Sequence, residues 1–422
     1  MPTVNDNKMS DLNVICADSL VQICDSGTPR SGRHQGELNI IEDGAVAIRE
    51  GKIVSVGTTE KVLDEAGECF RTLNAQGCSV LPGLVEAHSH PVFAGNRHWE
   101  YVRRLQGKSG ESIRSEGGGI WSTIVNTRAA DDPELEANTL QAFSSILAGG
   151  VTTLEVKSGY GLTTAEELRL LRILKQASQK TPMDIVFTFL GAHIAPQDGP
   201  TPDQFADLVM EEMLPEVARQ GIADFHDITC EIGDFSPETA ARLLAASRRI
   251  NMPTRVHADA STHSYGWRTA VEGGAVAADH LTYTPDTEII DIGATRTIAV
   301  LLPLAEQFYL DQVKANGRLF IETGVPVAIA TDYCSSFQAT SITLTIAMAC
   351  SWFGLTPAEA IVGATLNSAY ALGRGQDRGS LDVGKRGDLT ILRCSHPNEI
   401  ATRIGASMVR QVVSCGKVVY PR

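Results

Sequence analysis

The sequence predicts an α/β protein: a (β/α)8 TIM-type barrel, with a small β-sandwich domain assembled from both ends of the chain. Strand-like apolar segments alternate with amphipathic helical segments over about 300 residues of the middle, and this alternation favours a parallel sheet with crossover helices. Short alternating strands separated by turns occupy both ends of the chain. The length suits a closed eight-stranded barrel, which usually takes about 250 residues plus insertions.

The small domain is predicted over residues 1–80 and 380–422, and the barrel over 81–379. Asp43-Gly44 and Glu50-Gly51-Lys52 are typical of hairpin turns, and Cys415-Gly416-Lys417 predicts a third tight turn. The strands expected on either side of these turns are Leu12–Cys16, Gly44–Ile48, Lys52–Val56, Phe70–Leu73, Asp388–Leu392 and Val409–Tyr420.

The barrel is predicted from pairs of one strand and one following helix. The expected pairs are Val151–Val156 with Thr164–Gln179, Asp184–Leu190 with Pro202–Gln220, Asp227–Cys230 with Pro237–Ile250, Thr254–His257 with Gly266–Gly273, and Val325–Ala330 with Ser341–Phe353. A doubly wound open sheet is the alternative fold. It usually carries a glycine-rich phosphate loop, and the sequence has neither G-x-G-x-x-G nor a Walker A pattern.

Composition and charge indicate which partners and which cellular compartment to expect. The chain has 422 residues, is 43% hydrophobic and carries a net charge of −14 without any run of Lys or Arg, so nucleic acid is not an expected partner. Its start lacks the pattern of a signal peptide, and no apolar segment approaches the ~18 residues that span a bilayer. Nine scattered cysteines suit free thiols in a reducing compartment. We therefore expect a cytoplasmic protein without a membrane partner, and a homodimer as the commonest default.

Residues that could bind a metal close several of the predicted strands. The run Cys78–Val85 leads into His88 and His90, and alternate residues of a strand point to the same side, so both imidazoles can reach one metal. His257 and Asp332 each end another apolar run. Because the carboxyl ends of barrel strands converge at one rim, these four side chains are expected to meet there.

His193 and the pair Asp279-His280 occupy similar strand-end positions. One metal does not need all of these ligand-type residues, so some are expected to contact the substrate or to transfer protons. Three histidines and one carboxylate leave a coordination position for water and lower its pKa. This chemistry suits the hydrolysis of amides, amidines and cyclic imides.

The chain resembles the amidohydrolase superfamily and, within it, the imidazolonepropionase family, over nearly its whole length. The His-x-His pattern is general to the superfamily, whereas the Lys-Ser-Gly-Tyr-Gly-Leu and Leu-Gln-Gly-Lys-Ser segments are specific to the narrower family. The similarity is carried by the segments 81–90, 92–97, 104–109, 117–123, 155–162, 189–193, 211–215, 278–281 and 330–332.

The resemblance implies one divalent metal, zinc first and iron(II) or manganese(II) as alternatives, held by four ligands: His88, His90, His257 and Asp332. It implies a small heterocyclic substrate with a carboxylate, bound by Arg97 and Tyr160. His193 and His280 would contact the ring, and Asp332 could also transfer the proton. The implied reaction opens 4-imidazolone-5-propionate to N-formiminoglutamate. Lys157 would be structural, since this family binds a single metal.

Three segments depart from the family pattern. Ala260 stands where a Glu or Gln usually lies near the ring, and Tyr333–Ser336 replace Asn-Pro-Gly after the last metal ligand. Around Leu302–Phe308 the usual Pro-Gly is changed, and Glu306 and Gln307 are gained. Cys334 lies in one of the altered segments. Its side chain either packs against other residues of the protein or faces the substrate.

Two interpretations of these departures stay open. The changes are neutral and the usual reaction is kept, or the chain acts at C2 of a related ring, such as 3-(5-oxo-2-thioxoimidazolidin-4-yl)propionate, with release of sulfide. A deaminase of the same superfamily would not need an arginine to bind a substrate carboxylate, so Arg97 argues against that alternative. A non-catalytic scaffold would not need the metal ligands, and all four are present.

Overall fold

The computed structural model describes residues 11–69, 71–197, 199–310 and 312–421. Within these ranges the strands form three sheets. In chain order, β1 to β18 are Leu12–Ala17, Ser19–Val21, Ile40–Ile41, Gly44–Arg49, Lys52–Thr58, Thr72–Asn74, Ser79–Pro82, Leu84–Glu86, Val151–Lys157, Asp184–Ala192, Phe225–Cys230, Thr254–Ala258, Ala277–His280, Ile298–Leu301, Val327–Ile329, Leu389–Leu392, Val409–Ser414 and Lys417–Tyr420.

The helices of the described residues lie mostly between the strands of the largest sheet. In chain order, α1 to α16 are Thr59–Ala66, His98–Leu105, Gly110–Ser115, Ile120–Ala129, Asp132–Ala148, Thr164–Ser178, Pro202–Leu208, Leu214–Gln220, Pro237–Arg249, Gly266–Gly273, Asp286–Ile292, Pro303–Tyr309, Gly317–Glu322, Ile342–Phe353, Pro357–Gly363 and Leu366–Ala371. Short 3-10 helices cover Gly32–Gly36 and Pro397–Ala401, and a π-helical turn covers Val209–Met213.

The largest sheet contains β8 to β15 in sequential order, and each neighbouring pair is parallel. The sheet closes on itself beyond β8 and β15. There Ser89 and Tyr333 form a parallel bridge, and the His90 amide donates to the Tyr333 carbonyl at 2.7 Å. The (β/α)8 barrel predicted from the alternation of strands and helices is therefore confirmed.

Both ends of the chain contribute to the other two sheets. One has the order β5-β4-β1-β6, and the other has the order β18-β17-β16-β7-β2-β3. Apolar side chains of the two sheets form a shared core, which includes Leu12, Val14, Val46 and Ile48 from the first and Leu20, Val80, Leu389, Ile391 and Val413 from the second. This packing confirms the small sandwich, whereas the exact domain boundaries at 80/81 and 379/380 stay a prediction.

Local sequence explains where many elements begin and end. Thr163 caps α6 by accepting the Glu166 amide, and Ser236 caps α9, where Pro237 occupies the first turn. The helix predicted over Pro202–Gln220 is present as α7 and α8, joined by the π-helical turn. The single strand expected over Cys78–Val85 is instead two strands, β7 and β8, which belong to different sheets.

The alternation of side chains along the barrel strands places charged groups inside the barrel. In β9, Leu154 and Val156 pack into the apolar core, while Glu155 and Lys157 are fully buried on the other side. In β12, Val256 packs outward between Arg255 and His257. The carboxyl end of the barrel interior is therefore polar and charged.

No helix in the described ranges is long and apolar enough to cross a membrane. All nine cysteines are free. The cytoplasmic location, the homodimer and the absence of nucleic-acid partners stay predictions.

Candidate active site

Three histidines and one aspartate converge at the carboxyl end of the barrel. The Nε2 atoms of His88 and His90 lie 3.2 Å apart. Asp332 Oδ1 lies 3.5 Å from the first and 3.6 Å from the second. One ring nitrogen from each of His88, His90 and His257 lies within 4.8 Å of the others, a grouping that could hold a metal ion.

Buried carboxylates orient two of these rings. His88 Nδ1 lies 3.0 Å from Asp279 Oδ2, and His257 Nδ1 lies 3.0 Å from Asp227 Oδ1. A hydrogen on each Nδ1 leaves the lone pair on Nε2. The buried Nε2 of His257 has no hydrogen-bond partner among the described residues. An unpartnered buried nitrogen beside two more imidazoles and a carboxylate fits a cation.

Burial controls the protonation of these rings. It lowers the pKa of His88 and of His90 well below the usual value, so both imidazoles are neutral at pH 7, the form that binds metals. Burial also raises the pKa of Asp332. A divalent cation held against that carboxylate would act in the opposite direction, because it stabilises the ionised form.

A network of buried charges lies beneath the histidines. Lys157 Nζ lies 2.8 Å from both Glu155 Oε1 and Asp227 Oδ2. Arg255 donates to both oxygens of Asp279, at 2.8 and 3.0 Å, and to the Ala87 carbonyl at 2.9 Å. The two cations hold in place the carboxylates that orient the histidines.

The histidines open onto a cavity of about 220 Å³. Its lining includes every residue that the sequence assigned to the site except His88, which lies behind the cavity wall. These residues are His90, Arg97, Tyr160, His193, His257, His280, Asp332 and Cys334.

The comparisons with known proteins agree with this geometry. Residues 79–419 match the amidohydrolase family. The chain belongs to the amidohydrolase family.

Curated relatives of this amidohydrolase cover nearly its full length. The imidazolonepropionase of Brevibacillus brevis is 41% identical over 401 residues, covering 93% of this chain and 94% of the relative. That of Desulfotalea psychrophila is 41% identical and covers 94% and 96%. That of Geobacillus kaustophilus is 39% identical and covers 93% and 94%.

Solved structures show the same fold at lower identity. An adenosine deaminase from Xanthomonas campestris with bound zinc has a TM-score of 0.72 at 19% identity, covering 97% of this amidohydrolase and 92% of that chain. Atrazine chlorohydrolase from Arthrobacter aurescens, complexed with zinc, has a TM-score of 0.70 at 17% identity, covering 96% and 94%. At such identity the likeness concerns the fold alone.

Arg97 reaches the cavity from the loop before α2, and it already has a protein partner. Its Nε and Nη2 donate to the two carboxylate oxygens of Glu100 at 2.8 and 2.9 Å. Glu100 is buried and also accepts the Gly119 amide at 2.8 Å. The sequence pointed to Arg97 but did not reveal this partner.

His193 and His280 flank the metal-binding histidines. The ring of His193 stacks on that of His90 with centroids 5.3 Å apart, and its Nδ1 lies 3.0 Å from the Gly159 carbonyl. Burial lowers the pKa of His193 to about 3, so the ring is neutral. The ring of His280 lies 5.2 Å from that of His257 and is neutral for the same reason.

Two of the three segments that depart from the family pattern contribute residues to the cavity wall, whereas no residue of Leu302–Phe308 lines it. Ala260, Cys334 and Ser336 line it, while Tyr333 lines a neighbouring cavity together with Phe93. The Ala260 amide donates to Glu231 Oε2 at 2.8 Å. The altered residues therefore change the wall that a substrate would meet.

Three ionisable residues of the cavity lining were not predicted from the sequence: Glu231, Asp234 and Tyr309. Glu231 had a usable signal, because it directly follows the strand predicted over Asp227–Cys230, as the other site residues follow theirs. Asp234 lies four residues after the end of β11, and Tyr309 is the last residue of α12. No local sequence pattern marks such positions.

Proposed function

We propose that this amidohydrolase opens 4-imidazolone-5-propionate with water and forms N-formiminoglutamate. The observation that carries the proposal is one cavity lined both by the histidine and aspartate cluster and by Arg97. The cluster suits hydrolysis of a ring amide, and the guanidinium suits a propionate carboxylate. The curated relatives named imidazolonepropionase support the same substrate.

We propose that one divalent metal, zinc in the first instance, is held by His88, His90, His257 and Asp332. Imidazole nitrogens and a carboxylate oxygen are ligands that zinc favours, and iron(II) or manganese(II) would also accept them. Lys157 supports a single metal, because its ammonium group is held between Glu155 and Asp227 and is not free to become a bridging ligand.

The chain's own residues bind the ring and move the protons. When bound, the metal supplies Lewis acidity, which lowers the pKa of water and polarises an amide carbonyl. Arg97 and Tyr160 hold the carboxylate end of the substrate. Asp332 accepts a proton from the water whose oxygen adds to the ring carbonyl carbon. It then returns that proton to the ring nitrogen as the carbon–nitrogen bond breaks.

The two flanking histidines have different parts in this proposal. His193 donates from Nδ1 to the Gly159 carbonyl, so its Nε2 can accept the hydrogen of a ring nitrogen. A neutral His280 carries one N–H, which can donate to the negative charge that develops on the carbonyl oxygen.

A two-substrate turnover assay tests the proposal. Metal-loaded protein would be given 4-imidazolone-5-propionate and its 2-thioxo analogue, with ring absorbance and released sulfide followed separately. We expect fast opening of the imidazolone, loss of turnover in H88A and D332A, and normal turnover in H34A, where an exposed histidine is removed. Sulfide release with little imidazolone opening would overturn the proposed substrate.

A further inference from the structure

Arg97 by itself gives a substrate carboxylate an incomplete binding site. A guanidinium has five N–H groups, and Glu100 takes two of them in a bidentate pair. The remaining N–H groups can face a ligand, but the charge of Arg97 is already balanced by Glu100. A carboxylate that enters this part of the cavity therefore gains from neutral donors beside Arg97, and the proposed function assigns only one of these, Tyr160.

Tyr309 offers such a donor. It is the last residue of α12, and its side chain lines the cavity together with Arg97, Cys334 and Ser336. Its hydroxyl donates to Ser336 Oγ at 3.2 Å. Burial raises the pKa of Tyr309, so the phenol keeps its proton at neutral pH and remains a donor.

The ring of Tyr309 is held from outside the cavity. The guanidinium carbon of Arg104 lies 4.9 Å from the ring centroid, and the ring of Phe337 meets it edge-on at 6.0 Å. The buried Nε of Arg104 has no hydrogen-bond partner among the residues that the structure describes. A cation over the aromatic face, with an aromatic edge beside it, restricts the ring to one position.

We propose that Tyr309 binds the substrate carboxylate together with Arg97, donating its phenol O–H to one carboxylate oxygen while Arg104 holds the ring in place. The hydroxyl can rotate from Ser336 to the ligand without movement of the ring, and Ser336 can then donate in turn. The inference rests on the proposed function, since it takes the propionate carboxylate as the ligand. It adds a specificity-determining residue from α12 to the site.

The substitution Tyr309→Phe removes only the phenol oxygen and keeps the ring under Arg104. We expect KM for 4-imidazolone-5-propionate to rise about 10- to 100-fold, the effect of losing a hydrogen bond to a charged group, with kcat changed by less than about threefold. Tyr101→Phe is the matched control, because Tyr101 stacks on Phe308 at 5.0 Å in the same aromatic cluster. An unchanged KM in Y309F, or an equal rise in Y101F, would overturn the inference.

Binding measurements separate this inference from the proposed function. Imidazole-4-propionate and its carboxamide would be titrated calorimetrically into metal-loaded wild type and Y309F, since neither needs turnover. We expect wild type to prefer the acid, and Y309F to lose about tenfold or more of that preference while binding the amide normally. Equal weakening of acid and amide would show a structural role and reject the inference. Failure of wild type to open the imidazolone would reject the proposed function, and the binding preference would still decide the role of Tyr309.

Discussion

The Nδ1 atoms of His88 and His257 both face buried carboxylates, and this arrangement determines what the rings can do. Asp279 and Asp227 fix the rings so that each Nε2 points toward the centre of the site. Neutral imidazoles with a fixed lone pair are suited to hold a metal, and loss of an orienting partner typically weakens metal binding by 10- to 100-fold. The two carboxylates therefore contribute to metal binding through the orientation of the histidine rings, although they do not line the cavity.

Asp227→Asn tests this orienting role. The substitution keeps the shape of the side chain but removes the charge that faces His257 and Lys157. We expect metal affinity, measured by competition with a chelator, to fall by about 10- to 100-fold. Asp224→Asn is the control, because Asp224 accepts the Phe187 amide and lies three residues earlier. Unchanged affinity in D227N would contradict the role.

Asp234 predicts a pH dependence of stability. Burial raises the pKa of this cavity aspartate from 3.8 to about 6. Between about pH 4 and pH 6 the folded chain then binds more protons at this site than the unfolded chain, so the contribution of Asp234 to stability falls as pH rises. We expect Asp234→Asn to gain about 2–3 kcal/mol relative to wild type between pH 4 and pH 8, measured by denaturant unfolding. A difference that is constant with pH would refute the prediction.

Among the elements, the short strands β7 and β8 connect the two domains. The Gly83 amide donates to the Asp388 carbonyl on the sandwich side, and the next amide, from Leu84, donates to the Gly150 carbonyl on the barrel side. The apolar run Cys78–Val85 predicted extended backbone but not its division into two strands, because the change of partner at Gly83 depends on which strands lie on either side. Periodicity along one segment contains no information about those partners.

The substitution Gly83→Ala tests how closely the backbone at Gly83 approaches Thr152, at the point where the chain leaves one sheet for the next. A Cβ at Gly83 would lie 2.1 Å from Thr152 Oγ1 and 2.8 Å from Thr152 Cγ2. We expect a loss of about 1–3 kcal/mol in the free energy of unfolding, as in other overpacked cores. Gly110→Ala is the control, since its Cβ would meet only Arg114 Nη1 at 3.7 Å. Equal stability of the two variants would contradict the prediction.

At the scale of the whole molecule, the site joins the first and last strands of the barrel. His88 and His90 follow β8, Asp332 follows β15, and a backbone hydrogen bond from His90 to Tyr333 closes the barrel beside them. A metal held by both segments would therefore act as a link across the closure. Anything that binds the folded chain and not the unfolded chain stabilises the fold.

Removal of the metal should lower stability through this link. We expect a chelator to reduce the free energy of unfolding of wild type by about 3 kcal/mol or more, if the metal is present at about 100 times its dissociation constant. The variant H257A should lose much less stability on chelation, because three of the four proposed ligands remain and bind the metal more weakly. Identical melting curves of wild type with and without chelator, in protein shown to contain metal beforehand, would contradict the prediction.

The sequence by itself determined the barrel, the sandwich and the positions of the strand-end residues. These features follow from periodicity along the chain and from capping and turn residues, which act between near neighbours. His88, His90, His257 and Asp332 could be placed at one rim because all parallel barrel strands end there.

Only the tertiary structure decided which residues meet across the barrel. Glu100 pairs with Arg97, Lys157 lies between two carboxylates, and Tyr309 reaches the cavity from the end of a helix. These contacts join segments whose spacing in the chain follows no local pattern. Their charges and hydrogen bonds are set by burial and by distance in space, which a linear sequence does not contain.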